Sequence, residues 1–154
     1  ISTDPAAASA LDLGTAQAVI VGASVHGGRH QKSAVDFVKR YRGRLNDGPS
    51  AFFSVSLAAA SRRPGEADEA RRLAETFATE AGWNPSIVAT IAGRLAYTQY
   101  GFLKRWVMRA IARSEGGATD TTRDHEYTDW TTVERLADAV VNTVRARIPA
   151  VAVG

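Results

Sequence analysis

Apolar residues along this chain fall into two kinds of pattern. Residues 18–23 (AVIVGA), 50–57 (SAFFSVSL) and 87–93 (IVATIAG) are apolar with little alternation and rich in β-branched or aromatic side chains. Such runs mark strands covered on both faces, as in a parallel sheet. Between them the period lengthens. Val35, Val38, Tyr41 and Leu45 predict a helix over 33–45, stopped by Asn46-Asp47-Gly48-Pro49. Ala70, Leu73, Ala74 and Phe77 predict a second helix over 67–81, with Gly82 as its stop. Residues 24–30 (SVHGGRH) and 61–65 read as loops. Strand, helix, strand, helix, strand in this order predicts an α/β fold with a parallel sheet.

Residues 99–114 (QYGFLKRWVMRAIARS) predict a strongly amphipathic helix, and 120–127 read as polar and irregular. A last helix is expected over 131–147. Thr131 with Glu134 three residues on reads as a capping box, and Val133, Leu136, Ala137, Val140, Val141 and Val144 form a core face. No internal repeat is visible, and the ends, 1–14 and 149–154, carry little pattern. A single domain over 1–154 is expected, ordered over about 16–148.

The chain's 154 residues, 45% hydrophobic and 23% charged, suffice for one globular core. With no cysteine, disulfides, thiolate metal sites and a cysteine nucleophile are excluded. His26, His30 and His125 form no metal-ligand spacing with carboxylates, and no nucleophile elbow occurs. The net charge of +3 brings nucleic acid to mind, yet no nucleic-acid-binding motif accompanies it and none is expected as a partner. No apolar run approaches the ~20 residues that span a bilayer. Residues 1–10 show no secretory signal, and the only methionine is Met108, so a fragment or a processed product is expected.

In open parallel sheets ligands bind beyond the carboxyl ends of the strands. Those ends are here 22–30, 54–61 and 93–100, all rich in Gly, Ala and Ser. Small residues let backbone N–H groups approach a flat ligand, and such donors suit the carbonyls and ring nitrogens of an isoalloxazine. Tyr97 and Tyr100 are candidates to flank a planar ring. Gly and Ser are equally ordinary in any strand-to-helix loop, so composition alone leaves the ligand open. His30 can serve proton transfer or loop stability. Asp120 and Asp129 can act as bases, or more simply as turn or cap residues.

These residues carry a resemblance. Gly22-Ala23-Ser24 with Gly27 and His30, the stretch 49–57 (PSAFFSVSL), and Ile91-Ala92-Gly93 with Leu95, Tyr97 and Tyr100 resemble the bacterial flavodoxin-type, quinone-dependent protoporphyrinogen oxidases. The most specific match is 116–121 (GGATDT) followed by Tyr127-Thr128-Asp129-Trp130, a segment that short flavodoxins lack. The resemblance runs from about Gln17 to Val144. It implies a flavodoxin-like three-layer sandwich with strand order 2-1-3-4-5, FMN as cofactor and protoporphyrinogen IX as substrate. It also implies menaquinone or another respiratory quinone as acceptor. The net reaction, a step in haem biosynthesis, removes six hydrogens in three two-electron steps. Carried over residue by residue, the cofactor contacts fall on Ser24, Val25, His26, Gly27, Ser54, Val55, Ser56, Leu57, Gly93, Arg94, Leu95, Tyr97 and Asp120; no catalytic residue can be named.

The chain departs from the family in several places. The family's first strand and its Ser/Thr-rich phosphate loop have no counterpart, so the chain alone is expected to bind FMN weakly or not at all. Residues 18–23 should then form an exposed edge. Ser56 stands where the family often has Asn, and Thr98-Gln99 where it often has Pro-Arg. A flavodoxin-like electron carrier without its own substrate, or an inactive truncated domain, remains the alternative.

Over 99–114, Phe102, Leu103, Trp106, Val107, Ala110 and Ile111 form an apolar stripe, with Lys104, Arg105, Arg109 and Arg113 as the charged residues. This suits a helix packed on the sheet, or an interfacial helix with a basic face. The quinone acceptor points to peripheral contact with the inner face of the cell membrane through 102–113, from a cytoplasmic protein. Arg94, Lys104, Arg105 and Arg109 could instead receive substrate propionates.

Overall fold

The computed structural model describes residues 12–61, 63–95, 122 and 125–147. In chain order the elements are β1 (Val19–His26), β2 (Arg29–His30), α1 (Lys32–Asp47), β3 (Ser50–Ser56), a 3-10 turn (Ala58–Ala60) and α2 (Glu66–Glu80). They continue with β4 (Ile87–Ala92), β5 (Arg94–Leu95), β6 (His125–Glu126) and α3 (Trp130–Arg147). The main sheet has the order β2-β1-β3-β4; β5 and β6 form a separate two-stranded ladder.

The three long strands are parallel. Val19 pairs with Ser50 and Val21 with Phe52, and Phe52 pairs in turn with Val88. This register puts Val19, Val21, Ala23, Phe52 and Val88 on one face. There they pack with Ala34, Val38 and Leu45 of α1 and with Ala74, Phe77 and Ala78 of α2. The opposite face carries Ala18, Ala51, Phe53, Ile87, Ala89 and Ile91 under Val133, Leu136 and Val140 of α3. Helices on both faces explain why the strands are mostly apolar on both sides. Phe52, Leu45 and Val38 are wholly buried, each stabilising the fold by about 1.5–3 kcal/mol relative to exposure.

Local chemistry sets the helix ends. Gly65, at φ 86°, opens α2, and Glu66, Asp68 and Glu69 in its first turn complement the helix dipole. At its other end Trp83 N–H donates to Ala78 C=O (2.9 Å) and Gly82 N–H to Thr79 C=O (3.0 Å). With Gly82 at φ 67° this is a Schellman motif, as the glycine stop predicts. α3 is capped differently from the expectation. Asp129 Oδ1 accepts the Thr131 N–H at 3.0 Å and Oδ2 accepts the Thr132 hydroxyl at 2.7 Å. The cap is therefore Asp129, and Thr131 lies inside the helix rather than opening a capping box.

Two further expectations are corrected. Residues 24–30 are not a loop: β1 continues to His26, turns at Gly27 (φ 58°) and Gly28 (φ 74°), and returns as β2. Two consecutive positive φ values suit the tight turn of a hairpin and explain the paired glycines. Within the stretch read as irregular, His125–Glu126 pairs antiparallel with Arg94–Leu95. Among the described residues β1 is paired on the side away from β3 only at Val25 and His26, and Ile20 is 48% exposed. Val19, Val21 and Ala23 are nonetheless buried under the helices. No helix among the described residues is long and apolar enough to cross a membrane.

Candidate functional site

The carboxyl ends of β1, β3 and β4 lie side by side. Ser24 pairs with Val55, Val55 with Ile91, and Ser56 with Ala92. At about 4.8 Å per ladder step, the three ends span about 10 Å. The residues singled out in the sequence are thereby brought to one end of the sheet. Ser24, Val25 and His26 close β1 and Gly27 makes its turn. Ser54, Val55 and Ser56 close β3, and Leu57 starts the 3-10 turn. Gly93 follows β4, and Arg94 and Leu95 form β5. Tyr97 and Asp120, together with Tyr100 and the basic stretch 102–113, lie outside the described residues.

Each wall has its own support. The Ser56 hydroxyl accepts the Ala59 N–H at 3.2 Å and so shapes the turn after β3. The Thr128 hydroxyl donates to Ala92 C=O at 2.9 Å, and Tyr127 N–H donates to Gly93 C=O at 3.3 Å. The Tyr127-Thr128-Asp129-Trp130 segment thus docks on the end of β4, where sequence reasoning had named no contact for Thr128. Trp130 beside it is 63% exposed. His30 Nε2 lies 2.9 Å from the hydroxyl of Ser54, which is 1% exposed. The imidazole sits against Phe77 (4.6 Å between centroids) and edge-on to Phe52 (5.5 Å). Burial lowers its pKa below the ordinary value of 6.5, so the ring is neutral near pH 7. Asp129 is held below the usual carboxylate range, first by the Thr132 hydroxyl.

This geometry fits the ring of a flavin better than its phosphate. The strand ends and turns over 24–30 and 54–61 carry no acidic side chain, and Cβ atoms at Gly27 and Gly28 would meet nothing within 4 Å. Among the described residues, nothing packs against the Gly27-Gly28 turn at the end of β1. An anion has no such place at α2, because Glu66, Asp68 and Glu69 already occupy its first turn. Among the described residues no group of three His, Asp or Glu side chains could hold a metal ion.

The model of the flavodoxin domain matches residues 1–122. The chain is 36% identical over 125 residues to the protoporphyrinogen IX dehydrogenase (quinone) of Escherichia coli K12, covering 80% of this chain and 68% of that protein. The protein of that name from Escherichia coli O157:H7 matches to the same extent. The one from Leishmania major is 35% identical over 119 residues, covering 77% of this chain and 51% of its own length. No solved structure matches the chain significantly.

Proposed function

Because the chain belongs to the flavodoxin-domain family, we propose that it is an FMN-dependent oxidoreductase that converts protoporphyrinogen IX to protoporphyrin IX with a quinone as acceptor. The single observation that carries this is the convergence of Ser24–Gly27, Ser54–Leu57 and Gly93 at one end of a parallel sheet, in a chain 36% identical to proteins named for that reaction. When bound, the flavin supplies two-electron chemistry: it takes hydride from a carbon donor and returns electrons to a quinone.

The chain's own part is to bind, orient and exclude. The Gly27-Gly28 turn and the Leu57–Ala58 start of the second turn would offer backbone donors to the polar edge of the ring, whereas the Ala59 and Ala60 N–H groups are taken by the Ser56 hydroxyl and Leu57 C=O. The Ser56 bond to Ala59 fixes the shape of the second turn. Thr128 and Tyr127, docked on Ala92 and Gly93, support the third wall. With no acid over 24–30 and 54–61, negative charge on a reduced ring would meet no like charge there. The acceptor, a membrane quinone, puts the work at the inner face of the cell membrane. The basic and aromatic residues of 102–113 support contact with that surface.

The test is anaerobic oxidation of protoporphyrinogen IX by the purified chain supplied with FMN and a soluble menaquinone analogue, followed by porphyrin fluorescence. Porphyrin formation that requires protein, flavin and quinone together is the expected result. Flavin reduction and reoxidation without porphyrin would favour an electron carrier, and an absence of both would overturn the reading.

A further inference from the structure

The hairpin that carries Val25–Gly27 extends beyond the parallel ladder, which ends at Ser24 and Val55, and is too short to hold itself in place. Its ladder has two residue pairs, Val25 with His30 and His26 with Arg29, and isolated two-stranded ribbons are marginal in water even when longer. Something must tie it to the body of the domain. The tie comes from His30, whose ring reaches Phe52 and Phe77 on the α1/α2 face and whose Nε2 meets the Ser54 hydroxyl. Ser54 is almost wholly buried, so its hydroxyl requires a partner. His30 and Ser54 are each the other's hydrogen-bond partner across 24 residues. One end of this bond belongs to the hairpin and the other to the strand that carries Ser54–Leu57.

We infer that His30 is a positioning residue for the flavin: its bond to Ser54 and its packing on Phe52 and Phe77 set the separation between the hairpin wall and the β3 wall of the site. The inference rests on the flavin reading above. His30 touches no reacting atom in this account. It acts through the hairpin, and its neutral state keeps a charge out of the aromatic cluster.

Three variants of the full chain test it: His30→Phe, His30→Gln, and Ser54→Ala combined with His30→Phe. Phe keeps a ring against Phe52 and Phe77 but removes the hydrogen bond. Gln restores a donor and acceptor at similar reach. Two readouts are taken: FMN affinity by quenching of flavin fluorescence, and amide hydrogen exchange of 25–31 without flavin. His30→Phe is expected to weaken FMN about tenfold, the size of one hydrogen bond. It should speed exchange in the hairpin but not in α1 or α2. Gln should recover most of the affinity, and the double variant should match His30→Phe rather than add to it. If the wild-type chain binds FMN and His30→Phe binds it within twofold, the positioning role falls and the flavin reading stands. If the wild-type chain shows no FMN binding, the flavin reading falls and the positioning role with it.

Discussion

Gly22 of β1 and Phe53 of β3 are partners in the parallel ladder, and the Phe53 ring covers the space a side chain at Gly22 would fill. A Cβ there would lie 2.6 Å from Cε2 and 2.8 Å from Cε1 of the ring. The backbone at Gly22 is ordinary, since its φ is not positive; the glycine is required by the close approach. Gly22→Ala must push the ring away from β1, on the face that α3 covers. We expect a loss of about 1–3 kcal/mol in stability, the usual cost of overpacking, read from urea unfolding. An unchanged midpoint would mean that Phe53 does not lie against Gly22.

At the amino end of β3 a buried chain of bonds joins α1, β3 and the segment after α2. Trp83 Nε1–H donates to the Ser50 hydroxyl at 3.0 Å, which donates to Leu45 C=O at 2.7 Å. Ser50→Ala leaves the indole N–H and the carbonyl without this partner. The expected cost is about 1–3 kcal/mol, again by urea unfolding. Because Ser50 lies at the far end of the sheet from the proposed site, flavin affinity should not change.

His30 gives stability a pH dependence whose sign follows from its burial. Its pKa is lower in the folded chain than the ordinary 6.5, so below that value the unfolded chain takes up a proton that the folded chain resists. The full stability is present above pH 6.5. It declines as pH falls below 6.5 and levels off once the folded-state pKa is passed. Asp129 acts in a separate, more acidic window: its contribution is present above the ordinary 3.8 and is lost as pH falls through its lowered folded value. Unfolding midpoints measured between pH 8 and 4 should show the first decline in the wild-type chain and lose it in His30→Phe.

The parallel core was legible because its strands are covered on both faces, so that 18–23, 50–57 and 87–93 are mostly apolar, interrupted only by Ser50, Ser54, Ser56 and Thr90. The hairpin was not. β2 is two residues long and has no period to read, and Gly27-Gly28 signals a loop as readily as a turn. The bond between His30 and Ser54 joins positions 24 residues apart; it becomes visible only once the register sets Ser54 on the same face as Phe52. At α3 two cap signals competed, and Asp129, with a carboxylate able to take both a backbone N–H and a hydroxyl, prevailed over Thr131. Of the proposed contacts, those on β1, β3 and Gly93 converge as the loops suggested, whereas Tyr97 and Asp120 fall outside the described residues.

Flavin binding by the chain itself tests the central claim most directly. Among the described residues, the strand ends and turns offer walls for the ring but no cradle for the phosphate. Binding should therefore be weak and best followed by titration rather than by retention on a column. FMN fluorescence is measured as the protein is raised into the high micromolar range, with riboflavin in parallel. Saturable quenching of both, with affinities within about tenfold of each other (less than one charge-assisted bond apart), is the predicted result. Fluorescence unchanged at the highest protein concentration would contradict the account.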